Sequence, residues 1–548
     1  MSTSIVESTP SAYAYPLLIK QLLHTPLAVA PNQEIIYRNV QRYTYRAFRQ
    51  RIGRLASGLA SLGVNPGDTV AVMDWDSHRY LECYFAIPMM GVVIETINIR
   101  LSPEEILYTL NHAGASVILC ATDFIPMLEK IKDRLETVQS FIMISDSGET
   151  PSSSIEFLIE YEELLAKSTE HFDFPDFDEH TRATTFYTTG TTGKPKGVYF
   201  SHRQIVLHTL SALGTLASPA TQQRFHREDV YMPMTPMFHV HAWGLPYVAT
   251  AMGVKQVYPG RFDPANLLTL LQQENVTFSH CAPTPLHMVL AHPLASTVDL
   301  SKLKLIIGAS ALTKGLAKQA LDKGIDIFTG YGMSETCPIM ALAQLKSSPS
   351  TSEADGELEY RTRSGMPALL VDLRIVDDNM QDVPHDGKAS GEVVARTPWL
   401  TQGYLKDPVN SEVLWRDGYL HTNDIATIDP EGYLQIVDRT KDVIKSGGEW
   451  ISSLAIENII SQYPGVSEVA VIARPDEKWG ERPLALVIVT DKNKVTEQDI
   501  QAHVKISADQ GILSKWAIPD VRFVDALAKT SVGKLDKKIL RQTYGQVM

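Results

Sequence analysis

The chain has 548 residues, enough for two or more domains that each bury a full core. Apolar residues make up 44% and charged residues 21%, the balance of an ordinary soluble globular protein. The formal charge of -13, from 50 basic and 63 acidic residues with no basic block, argues against general nucleic-acid binding but leaves room for a local phosphate site. The four cysteines, Cys83, Cys120, Cys281 and Cys337, form no CxxC pair, so neither a disulfide framework nor a zinc ribbon is expected. Reduced thiols in a cytoplasmic protein are the simpler reading. The N-terminus lacks the pattern of a signal peptide, and no apolar run reaches about 18 residues, so no spanning helix is expected. Peripheral membrane contact stays open.

In chain order, Phe48, Ile52, Leu55, Leu59 and Leu62 mark one face of a helix, with Thr44 as N-cap and Gly63 as stop. Thr69 to Trp75 reads as a strand. Ser102-Pro103-Glu104-Glu105 is a capping box with proline at the first helical position. Val117 to Cys120 and Phe141 to Ile144 read as buried strands, and helices between such strands imply a largely parallel sheet covered on both faces. Thr184 to Tyr187 is a further strand, and Ser201 a helix cap. Val230 to Met232, Val276 to Cys281, Leu303 to Ile307 and Ile325 to Phe328 supply a second run of α/β units. Ser347 to Gly365, rich in Ser, Glu and Asp, reads as an exposed connection. Short strands with Gly and Pro turns follow, as in a small β-rich module. The last hundred residues read as a separate small α+β domain, with helices at Ser453 to Tyr463 and Leu535 to Tyr544 and a boundary near Asp438 to Asp442.

The most specific stretch is Tyr187 to Gly197, Tyr-Thr-Thr-Gly-Thr-Thr-Gly-Lys-Pro-Lys-Gly. Glycine lets backbone N–H groups approach an anion, threonine hydroxyls add donors or a metal ligand, and two lysines supply positive charge. The stretch reads as a polyphosphate cradle, against the plainer alternative of a flexible surface turn, and it is not a Walker A loop, because Pro195 follows Lys194. Further on, Gly330 to Thr336 places Tyr331 between glycines, where it can stack a base, and Glu335 where it can bind Mg²⁺. Asp424 can accept hydrogen bonds from ribose hydroxyls. Arg439, the Lys445 to Trp450 segment and Lys534, after a glycine turn, complete the series.

In this order the segments resemble the adenylate-forming superfamily of acyl-CoA synthetases, luciferases and adenylation domains, from about Tyr43 to the C-terminus. The chain is most similar to bacterial medium- and long-chain fatty-acyl-CoA synthetases, on Pro236 to Trp243 and Ser446 to Ser453. The resemblance implies an α/β multidomain fold. A large N-terminal domain, residues 1–438, holds two α/β subdomains and a β-rich one. A hinge, residues 439–445, leads to a small mobile α+β domain, residues 446–548. Thr188, Thr189, Gly190, Thr191, Thr192 and Gly193, with Lys194 and Lys196, are implied to hold the β- and γ-phosphates of ATP. Thr188 and Glu335 face Mg²⁺. Tyr331 stacks on adenine, beside Gly308, Thr329 and Gly330. Asp424 and Arg439 bind ribose, and Ser334 keeps a hydroxyl for the α-phosphate. Lys441 is the hinge residue. Lys534 contacts the carboxylate and the α-phosphate. Lys445, Gly447, Gly448 and Trp450 take coenzyme A, and Trp243, His239 and Gly332 border the acyl group, with Trp243 as a gate or, in the plainer reading, a packed core tryptophan.

The implied reaction is acid plus ATP to acyl-AMP and pyrophosphate, then attack by the CoA thiol to give acyl-CoA. His239-x-His241 lacks the third ligand of a catalytic zinc site. A medium- or long-chain fatty acid is the first expectation for the substrate. A short, alicyclic or sulfur-containing acid, an acyl-AMP ligase loading a carrier protein, and a nucleotide-binding pseudoenzyme are the alternatives. A homodimer is open, since dimers occur among similar enzymes. Ala528 stands where similar chains carry proline, and Glu95 places a charge in an apolar stretch.

Overall fold

The computed structural model describes residues 4–149, 151–188, 194–220, 222–346, 354–439, 442–446, 449–491, 494–510, 512–530 and 534–545. The first sheet contains β1 (Thr69–Met73), β2 (Val93–Thr96), β3 (Ala115–Ala121), β4 (Ser140–Ile144), β5 (Ile159–Glu160), β6 (Arg182–Thr188) and β7 (Lys196–Ser201). Their spatial order is β5-β4-β3-β1-β2-β6-β7. Every neighbouring pair is parallel except β6 and β7. Helix α1 (Tyr45–Ser61) lays Phe48, Ile52, Leu55 and Leu59 into the core, each at 0% exposure. Burial of each such side chain contributes about 1.5–3 kcal/mol. Thr44 caps α1 by accepting from the Ala47 amide, and Ser102 and Glu105 form the capping box of α2 (Pro103–Ala113). Ser201 and Gln204 do the same for α3 (His202–Ala217).

The second sheet is built on β8 (Val230–Pro233), β9 (Lys255–Tyr258), β10 (Phe278–Cys281), β11 (Lys304–Ile307), β12 (Asp326–Gly332), β13 (Ile339–Leu342) and β14 (Met366–Pro367), completed by a hairpin of Glu34–Tyr37 and Gln41–Thr44. Strand β12 runs further than Ile325 to Phe328. It continues through Gly330-Tyr331-Gly332 because these residues pair antiparallel with β13. The glycine-tyrosine segment is thus a strand end and not a loop. Lys196 and Gly197, read as part of the phosphate loop, likewise begin β7. Helix α4 (Lys314–Asp322) joins β11 to β12. The expected connection at Ser347 to Gly365 is corrected over part of its length, since 354–362 form helix α5 (Ala354–Thr362). Arg361 on α5 is only 3% exposed and pairs with Asp326 at 2.6 Å and Glu357 at 2.7 Å. A buried ion pair of this kind is invisible to a composition count.

The third sheet is antiparallel: β15 (Asp372–Val376), β16 (Gly391–Arg396), β17 (Trp415–Arg416), β18 (Tyr419–Ile428) and β19 (Leu434–Arg439). The last sheet holds β20 (Ile444–Ser446), β21 (Glu449–Ile451), β22 (Val466–Asp476), β23 (Gly480–Val489) and β24 (Asp520–Phe523), with α6 (Ser453–Ser461) and α7 (Lys537–Tyr544). Its joint with the rest is tied by Asp438, whose Oδ2 accepts from the Ser453 amide at 2.8 Å and hydroxyl at 2.6 Å. Cys83, Cys120, Cys281 and Cys337 are all free and buried. No helix of the described residues is long and apolar enough to cross a membrane.

Candidate active site

Strands β8, β10, β11 and β12 run parallel, so their C-terminal ends share one edge of the second sheet. Ligands of open α/β sheets sit at such edges, because the strands hand their chains to loops there. His239, Thr284 and Ala309, which follow these strands, and Tyr331 at the end of β12 line a cleft of about 1240 Å³. The first sheet contributes Thr188 from the end of β6 and Lys196 from the start of β7. The third sheet contributes Asp424 and Arg439, and the small domain contributes Lys534.

At this end the polar groups are mutually engaged. The Tyr331 hydroxyl donates to Asp424 Oδ2 at 2.8 Å, and Arg439 Nε lies 3.3 Å from Asp424 Oδ1. Burial raises the Asp424 carboxyl, with Arg439, the Tyr331 hydrogen bond and Lys534 opposing it. Lys534 is pushed down to about 8, chiefly by burial and then by Arg439, with Asp424 and Glu335 holding it up. The Tyr404 hydroxyl donates to Glu335 Oε1 at 2.7 Å, while Lys196 Nζ lies 4.6 Å from the centre of the Tyr404 ring. Mg²⁺ usually takes one or two protein oxygens and completes its shell with phosphate and water. The Glu335 carboxylate and the Thr188 hydroxyl, both lining the cleft, fit that demand.

A smaller cavity of about 180 Å³ shares Arg100, His239, Thr284 and Ala309 with the cleft. These four residues therefore mark its mouth. Its other walls are mostly apolar, including Trp75, Ile99, Phe238, Trp243, Phe262 and Met288, but Asp74 and Asp76 also line it. The His239 ring is pushed down to about 3 by burial, then by Lys534 and Arg100, and is neutral at pH 7. Its loop is held from the first α/β unit: Asp76 Oδ1 accepts from the Met237 amide at 2.7 Å, and Thr96 donates to the Phe238 carbonyl at 2.9 Å. Burial pushes Asp76 up to about 7.

Beyond His239 the backbone makes a left-handed turn, with φ of 48° at Val240, 54° at His241, 47° at Ala242 and 61° at Trp243. Each such non-glycine residue costs about 1–2 kcal/mol. The turn is held by burial and by the 2.7 Å hydrogen bond between His241 Nε2 and Thr184 Oγ1. His241 is thus a structural partner of β6. Trp243, 5% exposed, rests against His280 and over Gly308, where an added Cβ would come within 2.9 Å of the indole.

Of the residues singled out in the sequence, Thr188, Lys196, His239, Thr329, Gly330, Tyr331, Gly332, Ser334, Glu335, Asp424, Arg439 and Lys534 line the one cleft. Trp243 lines the smaller cavity, whereas Gly332 lines only the cleft. Lys194 instead lies over Tyr108, at 4.8 Å from the ring centre. Gly308 lies beneath Trp243. Lys445 and the Trp450 backbone pair across β20 and β21, outside the cleft lining. Thr189, Gly190, Thr191, Thr192, Gly193, Lys441, Gly447 and Gly448 lie outside the described residues. Sequence reasoning missed Tyr404, Arg100 and Asp76. Nothing local marks them, since Asp76 sits in the polar run Asp74-Trp75-Asp76-Ser77-His78-Arg79 that follows a strand.

Residues 23–405 match the AMP-binding enzyme family, and residues 455–534 the AMP-binding enzyme C-terminal domain. A long-chain-fatty-acid–CoA ligase of Thermus thermophilus is 41% identical over 95% of this chain and 94% of its own. A 3-methylmercaptopropionyl-CoA ligase of Ruegeria lacuscaerulensis is 35% identical over 96% and 97%. The crystal structure of the anthranilate CoA ligase AuaEII with anthranoyl-AMP shares the fold, with a TM-score of 0.84 at 23% identity over 96% of this chain and 98% of that one. The chain belongs to the AMP-binding enzyme family. It is an AMP-forming acid:CoA ligase, using ATP, Mg²⁺ and coenzyme A.

Proposed function

We propose that the acid is a medium- or long-chain fatty acid, seated with its tail in the smaller cavity and its carboxylate at the mouth beside His239. The observation that carries this is the mostly apolar wall of that cavity, opening on the same cleft as Lys534. The likeness to the Thermus ligase supports it. A second reading, a short or sulfur-containing acid, draws support from the 180 Å³ volume left while Trp243 is folded over Gly308, and from the Ruegeria relative. A longer chain requires Trp243 to swing aside.

In the first step the carboxylate oxygen attacks the α-phosphorus of ATP and pyrophosphate leaves. Both reactants are anions. The buried Lys534 ammonium offsets their repulsion and stabilises charge on the α-phosphoryl oxygens and the carboxylate. Tyr331 packs on adenine while Asp424 and Arg439 hold the ribose hydroxyls. Lys194 and Lys196, with the residues between Thr188 and Gly193, hold the β- and γ-phosphates. Mg²⁺, held by Glu335 and Thr188, would supply Lewis-acid neutralisation of phosphate charge. The neutral His239 ring orients the carboxylate. In the second step the CoA thiol attacks the acyl carbonyl, AMP leaves, and the thioester forms, with Lys445, Gly447, Gly448 and Trp450 toward coenzyme A. Residues 1–438 act as the large domain and 446–548 as the small one, with the hinge at Lys441. The enzyme works in the cytoplasm, a placement supported by four reduced, buried cysteines.

An AMP-release assay with CoA, across acids from acetate to palmitate plus benzoate and 3-methylthiopropionate, tests the reading. The expected optimum lies at or above eight carbons. An optimum at acetate or at the thioether acid would overturn the fatty-acid assignment. The absence of acyl-CoA with every acid would overturn the assignment of the site.

A further inference from the structure

Lys534 belongs to the small domain, but Glu335, Asp424 and Arg439, the charges that act on it, sit on elements of the large one or its last strand. The position of this cation in the cleft is therefore set by where the small domain comes to rest. Away from the Asp438 joint, the two domains also meet where the N-terminus of α4 packs against the C-terminal half of α6. Thr313 caps α4 from within by accepting from the Leu316 amide. The Lys314 amide, an orphan donor of the first turn, instead donates to the side-chain oxygen of Asn458 on α6, at 3.0 Å. The next residue is Gly315. A Cβ there would overlap the Ser461 carbonyl oxygen and lie 3.1 Å from its carbon. The obstacle is backbone and cannot rotate away. Lys314 Nζ meanwhile pairs with Glu359 on α5, which ties α4 to its own domain. A weaker contact, His287 Nε2 to Ser467 Oγ at 3.3 Å, adds to the same interface.

We propose that Gly315 and Asn458 are positioning residues: α4 and α6 form a seat that fixes the small domain where Lys534 enters the cleft. This rests on the reading of Lys534 as the cation of the first step. Gly315 permits the close approach, and Asn458 caps α4 across the domain boundary. Neither touches substrate, and both act through Lys534.

Acid-dependent ATP–pyrophosphate exchange by the full chain tests the seat, in Gly315→Val, Asn458→Ala, Asn458→Asp, Lys534→Ala and the Gly315→Val/Lys534→Ala pair. Gly315→Val is expected to lower kcat for exchange at least tenfold with KM for ATP within about threefold. The pair is expected to be no slower than Lys534→Ala alone, as for two changes acting through one group. Asn458→Ala should lose several-fold, and Asn458→Asp, which keeps an acceptor, should recover most of it. Should Gly315→Val not fold, the Asn458 variants decide. Exchange within twofold of the parent in Gly315→Val or in Asn458→Ala, or a multiplicative loss in the pair, overturns the seat. A normal rate in Lys534→Ala would instead overturn the reading of Lys534 itself.

Discussion

Lys534 titrates where enzyme assays are commonly run. Its folded value, pushed down to about 8, means the ammonium is complete at pH 6.5 and largely lost by pH 9. Adenylation that depends on the charge should therefore fall as pH rises through about 8. The break should appear in kcat/KM for exchange, which reports the free enzyme, and shift to higher pH in kcat, because bound phosphates favour the charged form. A flat kcat/KM profile from pH 7 to 9.5 would contradict the role. Glu95 has the opposite character. It lies on β2, between β1 and β6, at 0% exposure, and neither carboxyl oxygen has a hydrogen-bond partner in the described structure. Burial raises it well above the usual carboxylate range. The folded state thus keeps a proton that the unfolded chain releases above about pH 4.5, and stability drains away as pH rises, by up to about 1.4 kcal/mol per unit. Glu95→Gln should be more stable than the parent at pH 8 in urea unfolding, by a margin that narrows toward pH 5. A margin independent of pH would rule this out. The sequence marked Glu95 as a charge among apolar residues. That its oxygens find no hydrogen-bond partner among the described residues depends on its neighbours across the sheet, which only the register reveals.

At the scale of elements, the turn of Val240 to Trp243 is the least readable piece of the site. Val-His-Ala-Trp carries no glycine and no turn residue, and local preference opposes four successive left-handed conformations. Tertiary packing overrides it, through the buried side chains and the His241–Thr184 bond. The strain can be weighed by one substitution in two backbones. Ala242→Gly removes a buried methyl but relieves the left-handed penalty, so its net effect should lie within about 1 kcal/mol of zero. Ala212→Gly, equally buried but in the middle of α3, should cost about 2 kcal/mol. Equal losses in denaturant midpoints would show that the turn is unstrained. Capping signals fared better: Thr44, Ser102 and Ser201 were legible because a cap is a relation among residues three apart. Helix α5 was not, because Arg361 buries its charge against Asp326, a residue 35 positions away.

For the whole molecule, the cleft was legible wherever one short segment carried several of its groups, as at Gly330 to Glu335. It was illegible where its walls come from segments that meet only in space. Arg100 follows β2 and Thr284 follows β10, and Tyr404, which bonds Glu335, lies between β16 and β17. Order along the chain identified the chemistry, while the shape of the smaller cavity needed the assembled sheets. That division explains why the reaction is better defined than the acid.

The four buried thiols have a practical consequence. Cys83 and Cys120 lie in the core around the first sheet, and Cys281 in that of the second. All four lie before residue 338, so the small domain has none. Maleimide or iodoacetamide can reach them only when the surrounding structure opens. The rate at which each becomes labelled, read by mass spectrometry, is therefore a clock for the breathing of the large domain, with sulfur atoms that report sheet by sheet. The same clock is silent to any swing of the small domain that leaves the large one closed. Nucleotide that slows labelling has tightened the platform, and nucleotide that merely redirects the small domain leaves the clock unchanged.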